Sequence, residues 1–115
     1  MKLPNANKAY VSSEKITLYL LNRFNRAAAG KVAFFESFGF SIERKDIFEN
    51  ALIRHCRDNT VIMSNSNEYG VKYSVDGELV TPDGRNPLVR TVWIIEEQKA
   101  APRLITAHPL ERRKT

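Results

Sequence analysis

The chain has one cysteine, Cys56, among 115 residues. A single thiol forms no internal disulfide and builds no cysteine-rich zinc site. No apolar run approaches the ~18 residues that a membrane-spanning helix needs. The opening Met1-Lys2-Leu3-Pro4-Asn5 has no apolar signal-peptide core. Also missing are a GxxxxGK(S/T) phosphate loop, a GxGxxG after a strand, an HExxH and a GxSxG. These absences argue against nucleotide-dependent enzymes, zinc proteases and serine hydrolases. They leave the expectation of a soluble, cytoplasmic, single-domain protein over 1–115, with no membrane association, no cofactor and no metal. Residues 1–11 read as a lead-in and 110–115 as a basic flexible tail.

What is present fits a globular domain. Hydrophobic residues make up 43% and charged residues 27%, which excludes a disordered tail or a coiled coil. A chain this long buries about two-thirds of its unfolded surface, enough for a core without staples. Net charge is +5, and it is uneven. Residues 1–30 carry Lys2, Lys8, Lys15, Arg23 and Arg26 against Glu14 alone, and the chain closes on Arg112-Arg113-Lys114. Such a balance favours phosphate-bearing or acidic partners through long-range attraction. It also simply keeps a protein soluble.

Hydrophobic periodicity divides the chain into a helical first half and a strand-rich second half. Tyr10-Val11 reads as a short extended piece, after which Ser12 or Ser13 caps a helix carrying Ile16, Tyr19 and Leu20 on one face. A polar connection over 22–27 precedes a second helix from about Ala28 to Phe38, stopped by Gly39. Ser41 caps a third helix that ends at Asp58-Asn59. The period then changes to two. Thr60–Met63 is a short strand, Ser64-Asn65-Ser66-Asn67 a turn, Gly70 the start of a strand, and Asp76-Gly77 a turn or bulge. Thr81–Pro87 is a loop. Leu88–Glu96 is the strongest strand, and Arg103–His108 the last. The fold class is therefore α+β: about three N-terminal helices packed on one face of a three- to four-stranded antiparallel sheet.

The candidate site lies on the last two strands. With Val92, Ile94, Ile105 and Ala107 placed under the helices, the set Thr91, Trp93, Thr106 and His108 lines an open groove. A one-residue slip would exchange those faces and put Trp93 in the core. His108 titrates near neutrality and can give or take a proton. Lys31, Lys72, Arg90 and Arg103 are cations that, if they converge, clamp a phosphate and stabilise charge developing on it. Tyr69 and Trp93 offer flat surfaces for bases. His55 and Cys56 differ. Adjacent helical residues diverge by about 100°, so they form no nucleophile–base pair and read as buried structural groups. The histidines lie far apart and the carboxylates show no ligand spacing, so no metal site is expected.

Several segments resemble a family of small bacterial proteins defined only as a domain of unknown function. They are Lys2-Leu3-Pro4-Asn5-Ala6, Gly30-Lys31-Val32-Ala33-Phe34, Tyr69-Gly70-Val71-Lys72-Tyr73, Val89-Arg90-Thr91-Val92-Trp93-Ile94-Ile95 and Pro102-Arg103-Leu104-Ile105-Thr106-Ala107-His108-Pro109. The order of helices followed by an antiparallel sheet with a threonine-bearing last strand also resembles the barnase/EndoU/colicin/RelE-like group of small ribonucleases. Many of that group are bacterial toxins held by a small antitoxin. The resemblance implies metal-independent attack of an RNA 2′-hydroxyl on the neighbouring phosphate. It places His108 and Thr106 on the last strand, Arg90 and Thr91 on the penultimate strand, and Lys31 at a helix end. The sequence departs from barnase in having no strand glutamate suited to act as base, whereas RelE-like members use cationic groups instead.

Two readings follow. In the first, the protein is a toxin-type ribonuclease acting on RNA and held by a small acidic antitoxin protein. His108, Arg90, Lys31 and Thr106 do the chemistry, and Trp93, Tyr69, Thr91, Lys72 and Arg103 bind substrate. In the second, it is a non-catalytic module that binds protein or RNA on the open sheet face. The oligomeric state stays open.

Overall fold

The computed structural model describes residues 1–22 and 29–110. Most of the polar connection expected over 22–27, and the basic run Arg112-Arg113-Lys114, lie outside the described residues. The architecture is α+β, with a four-stranded antiparallel sheet in the order β1-β2-β3-β4. The strands are β1 (Thr60–Asn67), β2 (Gly70–Glu78), β3 (Leu88–Glu96) and β4 (Arg103–Pro109).

The helices differ from the expectation of three at the N-terminal end. Among the described residues, the N-terminal stretch holds short pieces: a 3-10 turn Ala6–Lys8, and α1 (Ser13–Lys15) running into a wider π-helical segment Ile16–Leu20. Ser12 caps α1, its hydroxyl accepting the Lys15 N–H at 3.2 Å. The two longer helices, α2 (Ala29–Ser37) and α3 (Lys45–Asp58), occupy the middle of the chain. Gly39 follows α2 with φ 102, a left-handed backbone that glycine adopts without a Cβ clash. Ser41 makes no side-chain cap, because a 3-10 turn Ile42–Arg44 leads into α3 instead.

Helix α3 buries Phe48, Leu52, His55 and Cys56, a stripe at helical spacing. Phe48 packs its ring 4.9 Å from Phe35 of α2 and 4.6 Å from Phe40. Ile16, Leu20, Leu52, Val75, Val89, Trp93 and Leu104 close the core beneath them. Burying such side chains stabilises by about 1.5–3 kcal/mol each. Two further contacts tie the first ten residues to the sheet. The Met1 carbonyl accepts the Val61 N–H at 2.7 Å, and Tyr10 forms a parallel bridge with Arg103.

Two strand assignments change. β1 does not stop at Met63: Ser64, Asn65, Ser66 and Asn67 continue it, paired with Tyr73, Lys72, Val71 and Gly70. β1 is an exposed edge strand, so it carries no hydrophobic alternation to betray it. Asp76-Gly77 lies inside β2, paired with Arg90 and Val89, and is no turn. Gly77 is there because the Asn59 side chain occupies the space a Cβ would need. The irregularities fall elsewhere, between Val61 and Met63 and between Val92 and Trp93 on the β4 side. In β4 the latter leaves Ile105 without a cross-strand partner and interrupts the alternation of faces.

Candidate functional site

Register decides which side chains share a face, since directly paired residues point the same way. One face carries the rows Val75–Thr91–Ala107 and Tyr73–Trp93–Leu104. Val75, Thr91, Ala107, Trp93 and Leu104 are all buried there. The other face carries Asp76–Arg90–His108 and, one row along, Ser74–Val92–Thr106.

Trp93 and Thr91 are therefore not groove residues. Both have no exposed surface. The Trp93 indole N–H donates to Thr91 Oγ1 at 2.8 Å, and His55 Nδ1 lies 2.9 Å from the same oxygen. His55 Nε2 faces the Val89 carbonyl at 2.9 Å and the Gly77 carbonyl at 3.1 Å. Two carbonyls accept only, so Nε2 carries the proton; Nδ1 then accepts the Thr91 O–H, which frees that oxygen to receive the indole N–H. A neutral His55 satisfies every partner, and burial holds its pKa below the ordinary imidazole value. Cys56 beside it is also buried, its thiol pushed up to about 12 by desolvation.

The open face gathers a different set at the β4 corner. Lys31, in the first turn of α2, donates from Nζ to Tyr19 OH at 2.7 Å and to Thr106 Oγ1 at 2.9 Å. Its ammonium also stands 5.0 Å from the Tyr19 ring centroid. Arg90 is held by Asp76 through two bonds, Nε to Oδ1 at 2.7 Å and the second guanidinium nitrogen to Oδ2 at 2.9 Å. His108 pairs across β3–β4 with Arg90. Burial, then Lys31, then Arg90 hold His108 below its ordinary pKa, with Asp76 opposing them. The Tyr19 hydroxyl is also held below its ordinary value, first by the hydrogen bond from Lys31, then by Thr106 and the nearby lysine charges, against burial.

Lys31, Thr106, His108 and Arg90 thus stand close together, along with two residues that sequence reasoning did not select. Asp76 becomes visible only once β2 and β3 are in register. The spacing of Tyr19 puts it on a helix face, and its hydroxyl carries no local signal.

The remaining candidates lie elsewhere. Tyr69 is exposed at the β1–β2 turn, roughly 20 Å along the sheet from the Asp76 row at about 3.3 Å per residue. Lys72 is exposed beside Asn65 and Ile94. Arg103, at the far end of β4, is engaged by Glu96 at 3.0 and 3.1 Å. No group of three or more His, Cys, Asp or Glu able to hold a metal ion occurs among the described residues. No described helix is long and apolar enough to cross a membrane.

An α+β chain whose sheet carries a half-buried cationic corner belongs, by its sequence, to a family known as a domain of unknown function (DUF6883), whose model matches residues 2–111. No curated protein matches the sequence. Among solved structures, it is similar to a chain of the contact-dependent growth inhibition toxin–immunity protein complex from Klebsiella pneumoniae 342. The TM-score is 0.71 over 93% of this chain and 97% of that one. Identity is 13%, so the likeness is one of fold.

Proposed function

We propose that the protein is a toxin-type, metal-independent ribonuclease, a single domain acting on cytoplasmic RNA and held in check by a small acidic protein partner. The observation that carries this reading is the convergence of Lys31, Thr106, His108 and Arg90 at one corner of the sheet. The likeness of fold to a chain of a toxin–immunity protein complex supports the toxin and partner parts of it.

His108 is the base. Held below its ordinary pKa, the imidazole is neutral near pH 7 and accepts the proton of the RNA 2′-hydroxyl. The 2′-oxygen then forms a bond to phosphorus and the bond to the 5′-oxygen breaks. That oxygen leaves with a proton from water, and the products are a 2′,3′-cyclic phosphate and a 5′-hydroxyl end. Lys31, Thr106 and Arg90 hold the phosphate and stabilise the charge that grows on it. Arg90 acts with Asp76 attached, so Lys31 supplies the larger share of uncompensated positive charge.

That ion pair also favours the second reading. An arginine already neutralised by Asp76 stabilises less of the charge that grows on phosphorus, which suits a face that binds without turnover.

The test is incubation of the purified protein, shown to be free of inhibitor, with total cellular RNA in EDTA. A folded His108→Ala/Arg90→Ala double variant runs beside it. Cleavage by the wild type alone is the expected result. No cleavage overturns the ribonuclease reading in favour of the binding module, and equal cleavage by both proteins removes His108 and Arg90 from the site.

A further inference from the structure

Tyr19 has no role in the scheme above, yet it is the nearest neighbour of its principal cation. Lys31 Nζ lies 2.7 Å from the phenol oxygen and 2.9 Å from Thr106 Oγ1. An ammonium group only donates. Both hydroxyl oxygens are therefore acceptors toward Lys31, and each keeps its own O–H hydrogen to give. The third ammonium hydrogen is left over as well.

Lys31 Nζ thus brings three donor groups together, carried by three separate elements: the π-helical segment, α2 and β4. Thr106 also helps to hold the Tyr19 phenol below its ordinary pKa, as a neighbouring hydroxyl does. Tyr19, Lys31, Thr106 and His108 are all half-buried, open enough for a ligand and dry enough to strengthen its bonds. Among the described residues no carboxylate is paired with Lys31, whereas Arg90 and Arg103 each have one.

We propose that Tyr19 completes an oxyanion pocket in which its hydroxyl, Lys31 Nζ and Thr106 Oγ1 together bind a phosphate group. Three donor groups suit the several oxygens of a phosphate better than the two of a carboxylate. The pocket rests on the proposed function only in identifying that phosphate as part of RNA. Binding itself is measurable without any turnover.

The experiment is an NMR titration of the full chain with inorganic phosphate and, separately, with uridine 3′-monophosphate, following the His108 ring. Wild type is compared with Tyr19→Phe, which keeps the ring and its stacking on Lys31 but removes the hydroxyl. Tyr10→Phe is the control, and near-UV circular dichroism confirms the fold of each.

The expected result is saturable binding of both probes by wild type and by Tyr10→Phe. Tyr19→Phe should bind about tenfold more weakly, the effect of one hydrogen bond to a charged group. Equal affinity in Tyr19→Phe overturns the role of the phenol. Absence of saturable binding in wild type overturns the pocket, even if RNA is cleaved. Binding without RNA cleavage leaves the pocket standing and sinks the ribonuclease reading instead.

Discussion

Asp76 and Arg90 face each other across β2 and β3 and join through two bonds of 2.7 and 2.9 Å, with His108 next in the same row. The carboxylate thus shapes both its direct partner and the imidazole one strand further on. It neutralises the guanidinium, and it opposes the depression of the histidine.

Asp76→Asn should therefore lower the His108 titration midpoint further, since a charge that raises it is gone. Arg90→Ala should raise it, by removing a cation and freeing the aspartate. The ring proton shifts of His108 against pH measure both. Midpoints moving in the same direction in the two variants would contradict the row as described.

Thr91→Val removes the atom shared by Trp93 and His55 while keeping the shape of the side chain. It leaves a buried indole N–H and a buried imidazole nitrogen without partners, at about 1–3 kcal/mol each. A fall in Tm of about 10 °C or more is expected, at about 4 °C per kcal/mol for a domain between the small and mid-sized classes. A thermal melt within 2–3 °C of wild type would show that the network contributes little.

Stability should fall as the solution is acidified from pH 8 toward pH 5.5. Burial depresses both histidines in the folded chain, so the unfolded chain binds protons first as pH drops through the ordinary imidazole value near 6.5. The stabilisation is fully present above that value and is lost below it. Urea midpoints at the two pH values test this. The decline should persist in His108→Ala, because His55 is the more deeply buried of the two.

Cys56 should stay unmodified by a thiol reagent at pH 8 in the native protein. Its thiol is buried and pushed up to about 12, which leaves almost no thiolate. In urea it should react at once. Fast native labelling would show that α3 opens readily.

The sequence was most legible where hydrophobic alternation and turn chemistry agree. Leu88–Glu96 is the strand its pattern describes, and the loop from Thr81 to Pro87 lies where proline and Asp-Gly require a turn. Legibility failed on β3, where the faces were assigned the wrong way round. Thr91 is polar and was read as open, but its hydroxyl is satisfied internally by His55 and Trp93, so it goes inside with the indole. No local pattern reveals a partner contributed by a helix far away in the chain. The break in alternation at Ile105 hid the true pairing of β4 in the same way. Arg90, Thr106 and His108 still fell on the open face. Their grouping with Lys31 comes from the resemblance alone, because no local pattern tells where α2 ends up beside β4.

The first ten residues reach both margins of the sheet. Met1 is bonded to the outer side of β1 and Tyr10 to the outer side of β4. The segment between them, with Leu3 buried, acts as a strap whose two anchorages are made by the first and last strands. During synthesis this strap leaves the ribosome before the strands do, and its second end cannot be fastened until β4 has followed. Closure of this domain thus waits for its last strand, and the corner bearing His108 comes into being at the same moment.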